Sequence, residues 1–362
     1  MTHAAPRQVH QLLAALSPGD AIGNEALAIR ACLRRAGLAS EIFAESAHPR
    51  LAHEARSLDE YLEVSGPESV CLFHFAVGTA AARLIHQLPD RLVLVYHNIT
   101  PARFFLGFQN HIMGLAYHGR RGLAAFAPRT ELALGVSEFN RRELEAAGFR
   151  QTGVLPIVLD LGSYELTPSR VVRRLYEDER RNILFVGRII PNKKIEDLIR
   201  AFTVFQRHLE PRSRLILVGD QRLCPHYFDS LQELARALRL RDVVFAGHVD
   251  QDELLAYYAV ADLFLCLSEH EGYCVPLVEA MLFGLPVLAY DAGALRETLR
   301  GGGVLLAAKA PELVAELMGR VLEDERLRRA VLATQAGAVA AIRATDHDAL
   351  LLERLAPVLG VG

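Results

Sequence analysis

The feature that most constrains this chain is a repeated change of period. Short apolar runs alternate with longer stretches whose apolar residues recur every three or four positions, and they do so along the whole sequence. The runs at 70–76, 92–96, 132–136, 183–186, 215–218, 243–245, 263–267 and 287–290 are bounded by Gly, Pro, Asp or Ser and read as buried strands. Helical periodicity fills 24–35, 138–147, 195–208, 229–238 and 311–322. Strands without an alternating polar face, separated by amphipathic helices, imply parallel sheets covered on both sides. The expected class is α/β. Such sheets bind ligands outside the carboxyl ends of their strands, so the strand-to-helix loops are where chemistry is sought.

A chain of 362 residues exceeds one ordinary core and fits two lobes. The clearest break lies near 160–181, where strand character lapses, Pro168 interrupts, and RVVRRLYEDERR reads as a solvated charged face. The expected division is an N-terminal lobe at 1–165, a C-terminal lobe at 166–340, and a helical tail at 341–362 packing back on the N-terminal lobe. A net charge of −3 provides no bulk positive field for nucleic acid. Five scattered cysteines without CxxC spacing suit a reducing compartment. The opening MTHAAPRQVHQLLAAL lacks a signal-peptide pattern, and no apolar run approaches a membrane span; a cytoplasmic protein is expected.

Two loops carry the chemistry. In ILFVGRIIPNKK (183–194) a buried strand ends at Gly187, and Arg188 and Lys193 follow before a helix. A guanidinium fork, a point charge and a helix dipole together suit a diphosphate. The loop is neither a P-loop nor a dinucleotide fingerprint, since GxxxxGK[ST] and GxGxxG are both absent. In SEHEGYCVPLVEAMLFG (268–284), Gly272 is read as permitting a tight turn and Pro276 as opening a helix. The amides around Tyr273, Cys274 and Val275 should then face outward toward hydroxyls or phosphate. Glu271 is expected in the loop and Glu279 in the first helical turn, gripping two parts of one ligand; an acidic helix start stabilised by its own dipole is the plainer alternative for Glu279.

GRIIPNK followed by EGYCVPLVE resembles the retaining GT-B glycosyltransferases of family 4 (glycosyl transferases group 1), whose signature includes two glutamates with seven residues between. RLILVGD (214–220), VVFAGHV (243–249), GLPVLAYDAGALRE (284–297) and a Gly-rich turn at 301–303 extend the likeness over 182–306. The resemblance implies a GT-B architecture: two Rossmann-like lobes whose parallel sheets face each other across a cleft holding a nucleotide-sugar donor. It implies that Arg188 and Lys193 bind the donor diphosphate, that Glu279 binds the ribose, and that Glu271 with the following amides holds the sugar. Lys194 stands where the family often has glycine.

The N-terminal lobe matches less closely. SPGDAIGN (17–24) resembles the family's glycine-bearing first loop, so Gly19 is a donor-loop candidate beside its reading as an ordinary turn residue. His97, in VYHNITPARFF (95–105), stands where similar enzymes place a histidine facing the donor sugar; a structural histidine is the alternative. Ser137 and Asn140 read as a helix cap. The stretch 103–126 mixes aromatics with Arg120 and Arg121; a helix packed on its own lobe outweighs a lipid-facing surface in peripheral contact with the inner face of a membrane. The expected activity is retaining transfer of a hexose, from a GDP-mannose- or UDP-glucose-type donor to a glycan, lipid-linked or small-molecule acceptor in bacterial polysaccharide or lipopolysaccharide synthesis. No cofactor or essential metal is expected. Glu271, His97, Arg188 and Lys193 are the residues assigned to catalysis, with hydroxyl-gripping the favoured role for Glu271. The competing readings are a nucleotide-sugar epimerase and a non-catalytic binding subunit.

Overall fold

A computed structural model describes residues 8–360. The start of the opening stretch, 1–7, and the end of the tail, 361–362, lie outside the described residues. The chain divides into two compact units: one takes in the chain up to Ala102, His111–Asp160 and the stretch from Thr345, the other Arg103–Asn110 and Leu161–Ala344.

The first unit runs β1 (Gln8–Leu16), α1 (Ala21–Arg35), β2 (Ile42–Ala47), α2 (Leu58–Val64), β3 (Ser69–Phe75), α3 (Ala80–Leu84), β4 (Arg91–Tyr96), α4 (Asn110–Phe126), β5 (Thr130–Gly135), α5 (Glu138–Ala146) and β6 (Thr152–Val154). Its strands form one parallel sheet in the order β2-β1-β3-β4-β5-β6. Ser137 caps α5 by accepting the Asn140 amide, as expected of a serine before a helix. On α4, Ala116, Gly119, Leu123 and Phe126 are buried. Arg120 turns inward to the Ile99 carbonyl and Glu143, whereas Arg121 lies against exposed Tyr117.

The second unit runs α6 (Arg170–Tyr176), β7 (Arg181–Val186), α7 (Ile195–His208), β8 (Ser213–Val218), α8 (Pro225–Ala237), β9 (Val243–Gly247), α9 (Gln251–Val260), β10 (Leu263–Cys266), α10 (Val275–Leu282), β11 (Val287–Tyr290), α11 (Leu295–Leu299), β12 (Val304–Leu306), α12 (Pro311–Glu323) and α13 (Glu325–Arg343). Its parallel sheet has the order β12-β11-β10-β7-β8-β9. Ile183, Leu184, Leu215, Ile216, Phe264 and Leu288 in its central strands are fully buried, which is why those segments read as unbroken apolar runs.

A last helix, α14 (His347–Leu359), belongs to the first unit. Its Leu351, Leu355 and Val358 join Ile29 and Leu33 of α1 and Val9 and Val70 of the sheet in one core. At about 25 cal/mol per Å² of apolar surface, three buried side chains stabilise this docking by several kcal/mol. No helix among the described residues is long and apolar enough to cross a membrane.

Candidate functional site

Counted within the second unit, the strands run 3-2-1-4-5-6, and the direction of winding reverses between the adjacent strands β7 and β10. At such a switch point the loops leaving two neighbouring strands part in opposite directions and open a crevice. Both chemistry-bearing loops of the sequence leave from these two strands.

The loop after β7 is shaped by contact with its neighbour. Gly187 and Gly219 sit at φ 153° and 152°, and a Cβ on Gly219 would lie 1.9 Å from the Gly187 carbonyl oxygen, so no other residue fits there. One turn of 3-10 helix, Pro191–Lys193, precedes Lys194, which takes a left-handed conformation at φ 53°. That geometry favours glycine, so the lysine here carries backbone strain that glycine would not. Arg188 is solvent-exposed and forms no ion pair among the described residues. Lys193 turns inward, its side chain 16% exposed, with Nζ 2.6 and 2.7 Å from the two carboxylate oxygens of Glu271. Burial opposes the Lys193 charge, but the facing Glu271 carboxylate offsets this and raises its pKa. Asn192 fastens the loops together: its Nδ2 donates to the His270 carbonyl at 2.9 Å, and its own carbonyl accepts the Glu269 amide at 2.9 Å.

In the loop after β10 the structure corrects two expectations. Gly272 does not adopt a positive φ; the left-handed residue is Cys274, at φ 81°, which closes the loop into α10 as its N-cap. Because α10 begins at Val275, Glu279 is the fifth helical residue rather than part of the first turn, and the acidic-helix-start reading does not apply to it. Glu279 is buried and accepts hydrogen bonds from Tyr258 at 2.6 Å and Tyr164 at 3.0 Å. Burial raises its pKa against those two bonds. Each carboxylate oxygen has a second lone pair, so capacity for further hydroxyls remains. Glu271 is held by its backbone, whose carbonyl accepts the Ala294 amide at 3.1 Å; Gly293, at φ 56°, is required because a Cβ there would lie 2.5 Å from that oxygen. Tyr273 is buried, its carbonyl accepting the Thr298 hydroxyl.

A third correction concerns the helix dipole. The N-terminus of α7 already carries Glu196 and Asp197, and its Ile195 amide donates to the Tyr227 hydroxyl at 2.9 Å. Those acids cancel the positive end that the sequence reading assigned to a phosphate. The N-terminus of α10, by contrast, has no acid in its first turn, and the Cys274 and Val275 amides have no acceptor among the described residues. The helix N-terminus left open at this site is that of α10.

All three lysines of the chain gather here. Lys194 pairs with Glu196 at 2.9 Å, and Lys309 bridges Asp197 at 2.7 Å and Glu269 at 2.6 Å. Sequence reasoning singled out Lys193 but missed Lys309, Asn192, Tyr164 and Tyr258, which lie in other loops or on other helices and carry no motif. Cys266, Cys274 and Glu271 also bring ligand atoms within 4.8 Å of one another, a set able to hold a soft metal ion. A separate polar concavity lined by Tyr176, Arg181, Arg212 and Asp262 lies at the amino ends of these strands, the wrong end for a ligand in this fold.

Gly19 and His97 belong to the first unit. Gly19 is exposed in the turn before α1 at φ 73°, and the adjoining Asp20 caps the helix by accepting the Gly23 amide. His97, at the carboxyl end of β4, has a side chain only 3% exposed, with Nε2 3.0 Å from His74 Nδ1 and Nδ1 3.5 Å from Glu25. Its Nε2 is engaged by His74 inside the unit.

Residues 172–336 match the family model of glycosyl transferases group 1. An uncharacterized glycosyltransferase of Methanocaldococcus jannaschii is 34% identical over 162 residues, covering 43% of this chain and 39% of that protein. A GDP-mannose-dependent alpha-(1-6)-phosphatidylinositol monomannoside mannosyltransferase of Mycobacterium tuberculosis is 27% identical over 210 residues, 54% of this chain and 53% of that one. The chain thus spans about half or less of the length of these curated relatives. Among solved structures, Anabaena HepE in complex with UDP and glucose superimposes with a TM-score of 0.74 at 18% identity, covering 98% of this chain and 99% of the other. The second unit's sheet order, its two converging loops and these likenesses agree: residues 172–336 are similar to the glycosyl transferases group 1, and the chain has a GT-B fold.

Proposed function

We propose that the protein transfers a hexose, with retention of configuration, from a nucleoside diphosphate sugar to a glycan or lipid-linked acceptor. The observation that carries this reading is the meeting of Lys193 with Glu271 at the β7/β10 switch point, beside exposed Arg188 and the open amides of α10.

Cleaving the bond between sugar and diphosphate leaves positive charge on the anomeric carbon and negative charge on the departing phosphate. Fixed donors aimed at that phosphate lower the barrier most where water is excluded. Arg188 and Lys193 supply two cations, and the Cys274 and Val275 amides supply oriented N–H groups. Glu271 holds the Lys193 ammonium in place at the loop, and an incoming diphosphate re-pairs with it. The Glu271 lone pairs accept sugar hydroxyls, while Glu279, braced by two tyrosines, accepts those of the ribose. The phosphate charge is met without a metal, and the departing phosphate takes the acceptor's proton. The mannosyltransferase relative supports a GDP-mannose-type donor, the UDP complex of the solved neighbour a UDP-glucose-type one, and the first is preferred. The reading places the protein in the cytoplasm.

A panel of nucleotide sugars screened by thermal shift identifies the donor, since a ligand at one hundred times its dissociation constant stabilises the fold by about 2.7 kcal/mol. Release of nucleoside diphosphate in the presence of acceptor then tests transfer. A donor that binds but is epimerised without acceptor contradicts the assignment.

A further inference from the structure

The buried groups of the first unit form a hydrogen-bond chain whose direction can be read from one end. Gln11 Nε2 donates to the Ala26 carbonyl at 2.8 Å, which fixes the amide's orientation and turns its Oε1 toward His74 Nε2 at 2.9 Å. An amide oxygen only accepts, so His74 Nε2 carries a hydrogen. A neutral imidazole has one N–H, leaving His74 Nδ1 as the acceptor for His97 Nε2 at 3.0 Å. The hydrogen on His97 therefore sits on Nε2, and its Nδ1 is a bare lone pair. Facing it at 3.5 Å is Oε2 of Glu25, fully buried; neither Glu25 oxygen nor His97 Nδ1 has a partner in normal hydrogen-bond geometry among the described residues, the Val158 amide acting on that carboxyl only from outside that geometry. A carboxylate anion opposite a lone pair is repulsive, whereas a carboxylic acid completes the chain.

We propose that Glu25 is a neutral acid that donates its proton to His97 Nδ1, locking His97 in one tautomer and tying α1 to the ends of β3 and β4. Glu25 is thus a positioning residue, and its functional part rests on the glycosyltransferase reading, in which His97 is assigned to catalysis. A metal held by Glu25, His74 and His97 fits less well, because the two imidazoles already spend their facing nitrogens on each other.

The acidities agree. Burial pushes the Glu25 carboxyl up to about 8, the Val158 amide only partly offsetting it. Burial lowers His74 to about 4 and holds His97 well below its ordinary value, with His74 adding to the effect. The groups facing Glu25 are His97 just after β4, with His74 of β3 and Gln11 of β1 behind it, and the Val158 amide after β6; no cation among the described residues shifts it. In the unfolded chain Glu25 loses its proton near 4.5, while the fold keeps it until about 8. Stability from this group is therefore full at low pH and lost as pH rises through that interval. The two histidines act oppositely, costing stability only as pH falls below 6.5. Between pH 6.5 and 8 the Glu25 slope acts alone among the three.

The test is nitrogen-15 histidine NMR on the full chain at pH 7, with urea unfolding from pH 6 to 9 for the wild type and Glu25→Gln. The amide of Gln keeps a donor for His97 but cannot ionise. The expected results are His97 protonated on Nε2 only, a wild-type unfolding midpoint that falls between pH 6.5 and 8, and a flatter profile in Glu25→Gln. Transfer activity should decline above pH 8 in the wild type and hold in the variant. An imidazolium at His97, a proton on its Nδ1, or an equal pH slope in both proteins overturns the proposal. If Glu25→Gln does not fold, the wild-type spectra decide alone. If no transfer is detected with any donor, the glycosyltransferase reading fails while the NMR and unfolding results still judge Glu25.

Discussion

The carboxyl ends of β4 and β7 pose the same problem, ionisable groups at the edge of a buried parallel sheet, and meet it in opposite ways. Around β4, Glu25, His74 and His97 are sealed from solvent and arranged as neutral partners in one chain of hydrogen bonds. Around β7, Lys193, Lys194 and Lys309 stand charged against Glu271, Glu196, Glu269 and Asp197. Neutral groups can be buried for the cost of satisfying their hydrogen bonds, whereas charges need partners or water. The first arrangement holds a shape. The second keeps a balanced set of charges that an incoming anion can re-pair.

Four substitutions sharpen or break that contrast. Lys193→Ala strands the buried Glu271 carboxylate and should cost about 3–5 kcal/mol of stability in urea unfolding, together with loss of diphosphate binding. A loss below about 1 kcal/mol would mean that water reaches Glu271 freely. Arg188→Ala removes a cation that forms no ion pair among the described residues. We expect nucleoside diphosphate affinity to fall by about 1.5–3 kcal/mol in calorimetric titration, with stability changed by less than about 0.5 kcal/mol. Tyr258→Phe takes one of two hydroxyls from Glu279 and should cost about 1–2 kcal/mol, measured by urea unfolding. Cys274→Gly relieves a left-handed backbone but adds freedom to the unfolded chain; a gain of about 0.5–1 kcal/mol, seen as a higher Tm, is the net expectation. A lower Tm would show that the Cys274 side chain contributes packing that outweighs the strain.

The same contrast explains what could be read from the sequence. The second unit's site was legible because its residues lie in two loops, each next to a strand of unbroken apolar character. Eight of the strands between 70 and 290 were found for that reason. β1 was not, because QVHQLLAAL carries His10 and Gln11, polar residues that the fold buries and satisfies. β6 and β12 are three residues long and lack a pattern to detect. The chain from Gln11 to Glu25 was beyond reach, since Gln11 and His74 are joined only by the parallel register of β1 with β3. His97 looked like a residue turned toward a ligand, and the partners that turn its ring inward lie far from it in sequence. Nor does the motif GRIIPNK reveal that Glu196 and Asp197 mask the helix that follows it, because that depends on where the helix begins.

The most direct test is calorimetric titration of UDP and GDP into the wild type and Arg188→Ala at matched temperature and salt. The account predicts that the wild type binds at least one of the two nucleotides and that the variant, equally stable, binds it about tenfold to a hundredfold more weakly. Equal affinity in the two proteins would contradict the assignment of the β7/β10 loops to the donor diphosphate.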